Sequence, residues 1–222
     1  MIKQGVFITL EGGEGTGKST QSSLLQRALA ASGVDVVTTR EPGGTVQAER
    51  IRDLLLQRDS GVFDPLTEAL LLFAARREHL LHKIWPAMER GQWVIADRFA
   101  DSSRAFQGYG MGLDLQVIEN LYQLVAGNFQ PDLTFIFDFD PATGLQRSLA
   151  RAQSAGMTED RYERMGLNFH QRLRAGFLEI AKKFPERCVV IDAAQDVQAI
   201  HRQVLTVIKA RFGVSGQEVR HG

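Results

Sequence analysis

The chain has 222 residues, 44% of them apolar and 23% charged, with 26 basic and 26 acidic side chains that cancel. That length supports one sizeable core. Zero net charge leaves no electrostatic footprint for DNA, RNA or an anionic membrane, so an anionic ligand would have to be held by a local cluster. The one cysteine, Cys188, excludes an internal disulfide and sits in an apolar run, which suits core packing better than redox chemistry. Arg or Glu breaks every apolar run short of membrane-spanning length, and no charged-then-apolar leader precedes the first strand. A cytoplasmic chain is expected.

Val6 to Leu10 reads as a buried strand, and Ser19 to Leu29 as the helix after it, with Gly33 as its C-cap. Asp35 to Thr39 is a second strand, ending in the turn-rich Arg40-Glu41-Pro42-Gly43-Gly44. A helix over Val46–Leu56 places Ile51, Leu54 and Leu55 on one side, and a loop over Asp59–Pro65 follows. The next helix, from Leu66 to about Arg90, is apolar on nearly all faces in its first half and is interrupted at Pro86. Gly91 ends it, and Trp93 to Ala96 is a third strand. Asp101 to Gln107 is a short helical or turn segment, and Gly108 to Gly112 a flexible break. Leu113 to Ala126 is a helix, Leu133 to Phe137 a strand, and Asp138 to Ala152 opens into a helix. Gln153 to Glu159 reads as a mobile loop. Tyr162 to Lys183 is helical, Cys188 to Ile191 a fifth strand, Val197 to Phe212 the last helix, and the tail from Gly213 frays. Strands alternating with helices imply a parallel α/β sheet covered on both faces, with ligands outside the C-terminal strand ends. Every polar cluster follows a strand.

The first of these is Gly12-Gly13-Glu14-Gly15-Thr16-Gly17-Lys18-Ser19, a glycine, four residues, then Gly-Lys-Ser, between a strand and a helix that continues through Thr20. Glycines let successive N–H groups turn inward on a phosphate, and the helix N-terminus adds partial positive charge. Lys18 can reach the β- and γ-phosphates, and the Ser19 hydroxyl a Mg²⁺ ion. Asp97, at the end of a central strand, is the acidic partner for that metal or its waters. The bland alternative is a glycine-rich turn that binds nothing.

Such a loop serves GTPases, motors and small-molecule kinases alike. No Asn-Lys-x-Asp stretch reads guanine, no strand ends in Asp-Glu to polarise a hydrolytic water, and the chain is short for a motor. Arginines near the strand exits and around residues 151–164 suit transfer between two phosphates, and a phosphate acceptor needs no general base. A switch that only senses ATP, and a kinase for another nucleoside monophosphate or a deoxynucleoside, are the alternatives.

Four stretches together resemble the bacterial thymidylate kinases: the Glu-bearing P-loop, Thr39-Arg40-Glu41-Pro42-Gly43-Gly44-Thr45, Leu72-Phe73-Ala74-Ala75-Arg76-Arg77, and Asp97-Arg98-Phe99-Ala100-Asp101-Ser102-Ser103-Arg104-Ala105-Phe106-Gln107-Gly108. Asp160-Arg161-Tyr162-Glu163 and Ile191-Asp192-Ala193 also fit. The resemblance implies a P-loop three-layer sandwich with strand order 2-3-1-4-5 and helices on both faces. One domain would span residues 1–212, with a lid at about 151–164, and residues 213–222 would be a flexible tail. It implies phosphorylation of dTMP to dTDP with ATP and Mg²⁺, usually by a homodimer. By the same resemblance Phe73 stacks on the thymine and Arg77 bonds its edge, Ser103 and Gln107 face the base, and Arg52 and Arg98 hold the acceptor's phosphate. Glu14 faces the sugar 3′-hydroxyl. Three departures stand out. Phe106 replaces the frequent Tyr, although its ring can still exclude a ribose 2′-hydroxyl. Tyr109 interrupts the usual glycine run, and the arginine-bearing loop is longer than the compact form. The P-loop carries no arginine, so Lys18 and Arg98 need help from the lid at the transferred group, with Arg151 and Arg161 the first candidates. Arg147 or the Ala193-Ala194 turn are candidates for the adenine.

Overall fold

A computed structural model of the chain describes residues 5–56, 63–154 and 161–214, and of Arg151 and Ala152 the backbone alone. The β-branched and aromatic runs form the strands β1 (Phe7–Gly12), β2 (Val36–Arg40), β3 (Trp93–Asp97), β4 (Leu133–Asp138) and β5 (Cys188–Asp192). They pair in parallel in the order β2-β3-β1-β4-β5, as expected. Central β1 is buried along its whole length, whereas the edge strand β2 is only partly covered. Leu10 pairs with Asp97 and Gly12 with Phe137, so the P-loop and the exits of β3 and β4 leave the sheet along one edge.

The two faces of the sheet are sorted by the two-residue period of the strands. On one face, Ile8, Leu10, Ile95, Phe135 and Phe137 pack against helices α1 (Lys18–Ala31) and α9 (Val197–Phe212) through Leu25, Leu29, Val204 and Ile208. The other face is divided between two groups of helices. Phe7, Val94 and Ala96 meet α3 (Pro65–His79), α4 (Trp85–Glu89) and α6 (Leu115–Ala126). Ile136 meets Leu173 and Phe177 of α8 (Leu167–Lys183). Each fully buried Phe or Leu contributes about 1.5–3 kcal/mol. Helices α2 (Val46–Leu56), α5 (Ala100–Ser103) and α7 (Pro141–Ser154) surround the edge where the loops converge.

Several local expectations change. In α2 the buried residues are Ala48, Leu55 and Leu56, and Leu54 faces outward. The helix expected to run to about Arg90 with an interruption at Pro86 does continue from α3 to α4, and the irregularity falls just ahead of the proline, in a π-turn at Leu80–Ile84 where Trp85 N–H donates to the Leu80 carbonyl. Proline lacks an N–H and crowds the carbonyl four residues back, so the ladder widens just ahead of it. The expected break at Gly108–Gly112 is ordered: Arg104–Gly110 forms a second π-segment, with Gly108 against Leu115 and Gly110 against Phe169. Gly166, at φ 79°, separates a short 3₁₀ turn, Glu163–Met165, from α8, so Tyr162 to Lys183 is not one helix. Gly213 caps α9 and Val214 packs on the core, whereas the rest of the expected tail and residues 155–160 of the expected lid lie outside the described residues.

Candidate active site

The P-loop turns on glycines at positive φ: Gly12 at 136°, Gly15 at 67° and Gly17 at 87°. Gly17 caps α1, so Lys18, Ser19 and Thr20 form the first turn, whose N–H groups point back at the loop. The Thr16 hydroxyl closes the loop on the Gly13 carbonyl at 3.1 Å. Lys18 Nζ donates to the carbonyls of Gly13 at 2.7 Å and Gly12 at 3.2 Å. Burial, then Arg98, lowers its pKa to about 8. Ser19 Oγ donates to Asp97 Oδ2 at 2.8 Å, so the pair expected at a metal is together. The loop is also held from outside. A Cβ on Gly144 of α7 would come within 2.5 Å of the Glu14 carbonyl oxygen, so only glycine allows this approach.

Beside the loop lies a cavity of about 170 Å³. At its P-loop side are Glu14, Arg98 and Glu163. Arg98 has φ 72°, left-handed for a non-glycine, a conformation costing about 1–3 kcal/mol that its surroundings must impose. Its guanidinium donates to the Gly12 carbonyl at 2.9 Å, Ser102 Oγ at 3.2 Å and Glu14 at 2.6 Å, and lies 4.9 Å from the Phe106 ring centre. Arg52 enters from α2 and donates to the Pro42 carbonyl at 2.9 Å. Leu72, Arg76, Ser103, Phe106 and Gln107 line the rest of the wall, with Arg161 and Tyr162 closing it. Among the expected acceptor residues, then, Glu14, Arg52, Arg98, Ser103, Phe106 and Gln107 come together in one cavity.

Phe73 and Arg77 do not join them. Phe73 is buried in the core beneath the cavity, and the Arg76 guanidinium sits between its ring and that of Phe99, at 4.6 and 5.2 Å. Arg77 donates to the Val125 carbonyl at 2.8 Å and lies over Trp85, on α3's other side. The residues that face the cavity are one position earlier, Leu72 and Arg76, also four residues apart on one helical face. Arg76 is fixed by Glu41 at 2.8 Å, the Phe99 carbonyl at 3.2 Å and Ser103 Oγ at 3.1 Å, and its Nη1 has no partner among the described residues. A helix apolar on almost every side gives no phase from its sequence, so two neighbouring arginines compete and only packing decides.

Arg161 is likewise displaced from the phosphoryl role. Its guanidinium donates to Glu68 at 2.5 Å and to the Leu55 carbonyl at 3.2 Å. The Arg151 side chain lies outside the description, and Arg147 stacks on Phe139 at 4.3 Å.

Sequence reasoning missed four carboxylates. Glu41 bridges Arg76 and His79, at 2.8 and 3.0 Å. Glu68 is fully buried on α3. Glu163 accepts from Ser148 at 2.9 Å, and burial, then Glu14, raises its pKa. Glu11, the one charge in strand β1, accepts from Phe99 N–H at 2.8 Å and Ser102 Oγ at 2.6 Å. Burial, then Asp101, raises its pKa to about 7. A lone charge in a buried strand just before a P-loop is a signal that could have singled out Glu11. The motif residues Asp101 and Arg104 serve the frame, since Asp101 accepts from Arg187 at 2.6 and 2.9 Å and from Arg104 at 3.0 Å.

A parallel sheet with a P-loop at its central strand, and an arginine-bearing cavity alongside, defines a phosphotransferase of the P-loop class. Residues 10–204 match the family model "Thymidylate kinase". The chain is 48% identical to the thymidylate kinase of Caulobacter vibrioides over 213 residues, 96% of this chain and all of that protein. It is 46% identical to the thymidylate kinase of a Geobacter species over 214 residues, 96% of this chain and 95% of that protein. The crystal structure of thymidylate kinase from Ehrlichia chaffeensis matches with a TM-score of 0.72 at 38% identity, covering 92% of this chain and 99% of that one. The chain belongs to the thymidylate kinase family, enzymes that phosphorylate dTMP to dTDP on the way to dTTP.

Proposed function

We propose that dTMP occupies the cavity beside the P-loop and receives the γ-phosphoryl group of ATP held by that loop. The observation that carries this reading is the pairing, in one cavity, of Arg98 and Arg52 with a wall whose Arg76 Nη1 and Gln107 Oε1 have no partner. A buried polar atom left unsatisfied costs about 1–3 kcal/mol, and a ligand that pairs it removes the cost. Thymine offers an acceptor, O4, beside a donor, N3–H, the complement of those two atoms. Leu72 packs on the base, Arg52 and Arg98 hold the acceptor's phosphate, and Glu14 meets the 3′-hydroxyl once Arg98 turns to the phosphate. Phe106 stands against a 2′-hydroxyl.

In the transfer, an oxygen of the dTMP phosphate attacks the γ-phosphorus while the bond to the β,γ-bridging oxygen breaks, leaving ADP. The attacking group is already anionic, so the chain supplies position and charge rather than a base. Lys18 leaves the Gly13 carbonyl for the β- and γ-phosphates. Ser19 and Asp97 offer hard oxygens of the kind Mg²⁺ takes. Among the described residues no group of three or more His, Cys, Asp or Glu could hold a metal. Mg²⁺ bound there would neutralise phosphate charge. Arg151, near the end of α7, is the remaining lid candidate for the transferred group.

The chain acts as a homodimer in this proposal. Helices α3 and α6 pack together and expose Leu66, Leu70 and Leu124, an apolar face suited to a second copy. No described helix is long and apolar enough to cross a membrane, and the proposed location is the cytoplasm.

The test offers ATP and Mg²⁺ with dTMP, dUMP, dCMP, AMP and thymidine in turn and measures ADP and the phosphorylated acceptor. The expected result is dTMP first with dUMP second, because the thymine methyl contributes only about 1 kcal/mol in an apolar pocket. ADP formed without any acceptor dependence, or preference for AMP, would sink the proposal.

A further inference from the structure

Glu68 lies outside the cavity wall, yet it gathers three residues that line it. It is fully buried on α3 and accepts from Gln107 Nε2 at 2.7 Å, Tyr162 Oη at 2.8 Å and Arg161 at 2.5 Å. A carboxylate only accepts, so Gln107 must turn its NH₂ group toward Glu68. The amide oxygen is then left over, and Gln107 Oε1 is buried with no partner among the described residues. Reversing the amide would set that oxygen against the carboxylate.

We propose that Glu68 is the positioning residue for base selection: by holding the Gln107 amide in one orientation it presents an acceptor, and never a donor, to the acceptor nucleotide's base. The proposal rests on the base lying against Arg76 and Gln107. With both orientations fixed, the wall offers a donor beside an acceptor. That matches thymine or uracil, which present O4 beside N3–H, and mismatches cytosine, which presents an amino group beside an unprotonated N3. A free glutamine could turn over and donate to N3 of cytosine, removing half of the discrimination. Discrimination of this kind is strong because the wrong base leaves buried groups unpaired. Tyr162 also donates to Glu68 Oε1 and Arg161 to Oε2, so the carboxylate is held from both oxygens where it meets Gln107.

The experiment measures the ratio of kcat/KM for dTMP over dCMP in the wild type, Glu68→Gln, Gln107→Met and the double variant, with KM for ATP alongside. Gln107→Met tests the base site itself, and its ratio falls at least about tenfold if Gln107 faces the base. Glu68→Gln, which can hold the Gln107 amide in either orientation, lowers the ratio about tenfold while KM for ATP stays within about twofold. The double variant falls no further than Gln107→Met, because Glu68 acts through that one residue. An unchanged ratio in Gln107→Met would overturn the base-site reading. A falling ratio in Gln107→Met with an unchanged ratio in Glu68→Gln would overturn the role of Glu68 alone. Equal loss on both nucleotides in Glu68→Gln means a purely structural residue and also overturns it. Should Glu68→Gln fail to fold, Glu68→Asp, which withdraws the carboxylate by one methylene, is read the same way.

Discussion

Lys18 is the residue on which the donor site turns, and its surroundings set a pH limit. Burial and the nearby Arg98 bring its pKa down to about 8 in the free protein. It is protonated below that value and loses its charge above it, when it can no longer bind phosphates as a cation. The kcat/KM for ATP, which reports the free enzyme, should therefore fall about tenfold per pH unit above about 8. A profile flat to pH 9.5 would contradict this. Glu11 carries the opposite lesson for stability. Its pKa is raised to about 7 by burial and Asp101, so between about 4.5 and 7 the folded state holds a proton that the unfolded state has released. Stability then falls as pH rises through that window. Glu11→Gln, which cannot ionise, should flatten this slope in thermal melts between pH 5 and 8. Cys188, pushed up to about 12 by burial first, should resist iodoacetamide at pH 8 in the folded protein and react once it is unfolded.

At the scale of elements, the site depends on contacts that hydrophobic periodicity does not encode. Gly144 lies on α7, far in sequence from the P-loop, yet its missing Cβ lets that helix touch Glu14. Gly144→Ala should cost about 1–3 kcal/mol by forcing the loop and helix apart, seen as a few degrees in Tm and weaker ATP binding by calorimetry. Unchanged ATP affinity would mean the loop tolerates the shift. The sequence made the P-loop, the five strands and their polar exits legible because each is local: glycines, a two-residue period, and a charge at a strand end. It did not reveal the π-turn before Pro86, which is an answer to a backbone clash, nor the ordered Gly108–Gly110 segment, whose glycines serve close packing rather than freedom. The helix α3 was the costliest ambiguity. Its nearly all-round apolar surface left Phe73 with Arg77 and Leu72 with Arg76 as rival faces, and the core took Phe73.

Across the whole molecule, the P-loop and the cavity proposed for the acceptor lie at one sheet edge, so in the proposed reaction transfer needs little movement of either nucleotide. Just after the Arg98 turn, a frame of charges holds α5, in which Arg187, Arg104 and Asp101 are largely buried together. Asp101→Asn should cost about 3–5 kcal/mol, since it leaves the buried Arg187 guanidinium without its counter-charge, whereas Arg104 keeps Glu119, and denaturant titration measures it. A change under 1 kcal/mol would contradict the frame's role. The acceptor side hangs from this frame through Ser102 and Ser103, which touch Arg98 and Arg76.

The proposed acceptor site depends on the face that α3 turns to the cavity, and kinetics with dTMP tests that face most directly. Arg76→Lys, which keeps a charge for Glu41 but loses the unpartnered Nη1 donor, should lower kcat/KM for dTMP by about 10- to 100-fold with little change in KM for ATP. Arg77→Ala should leave kcat/KM for dTMP within about threefold of the wild type, since among the described residues its guanidinium meets the Val125 carbonyl and Trp85, away from the cavity. The reverse result, a large loss at Arg77 and a small one at Arg76, would contradict the acceptor site as built here.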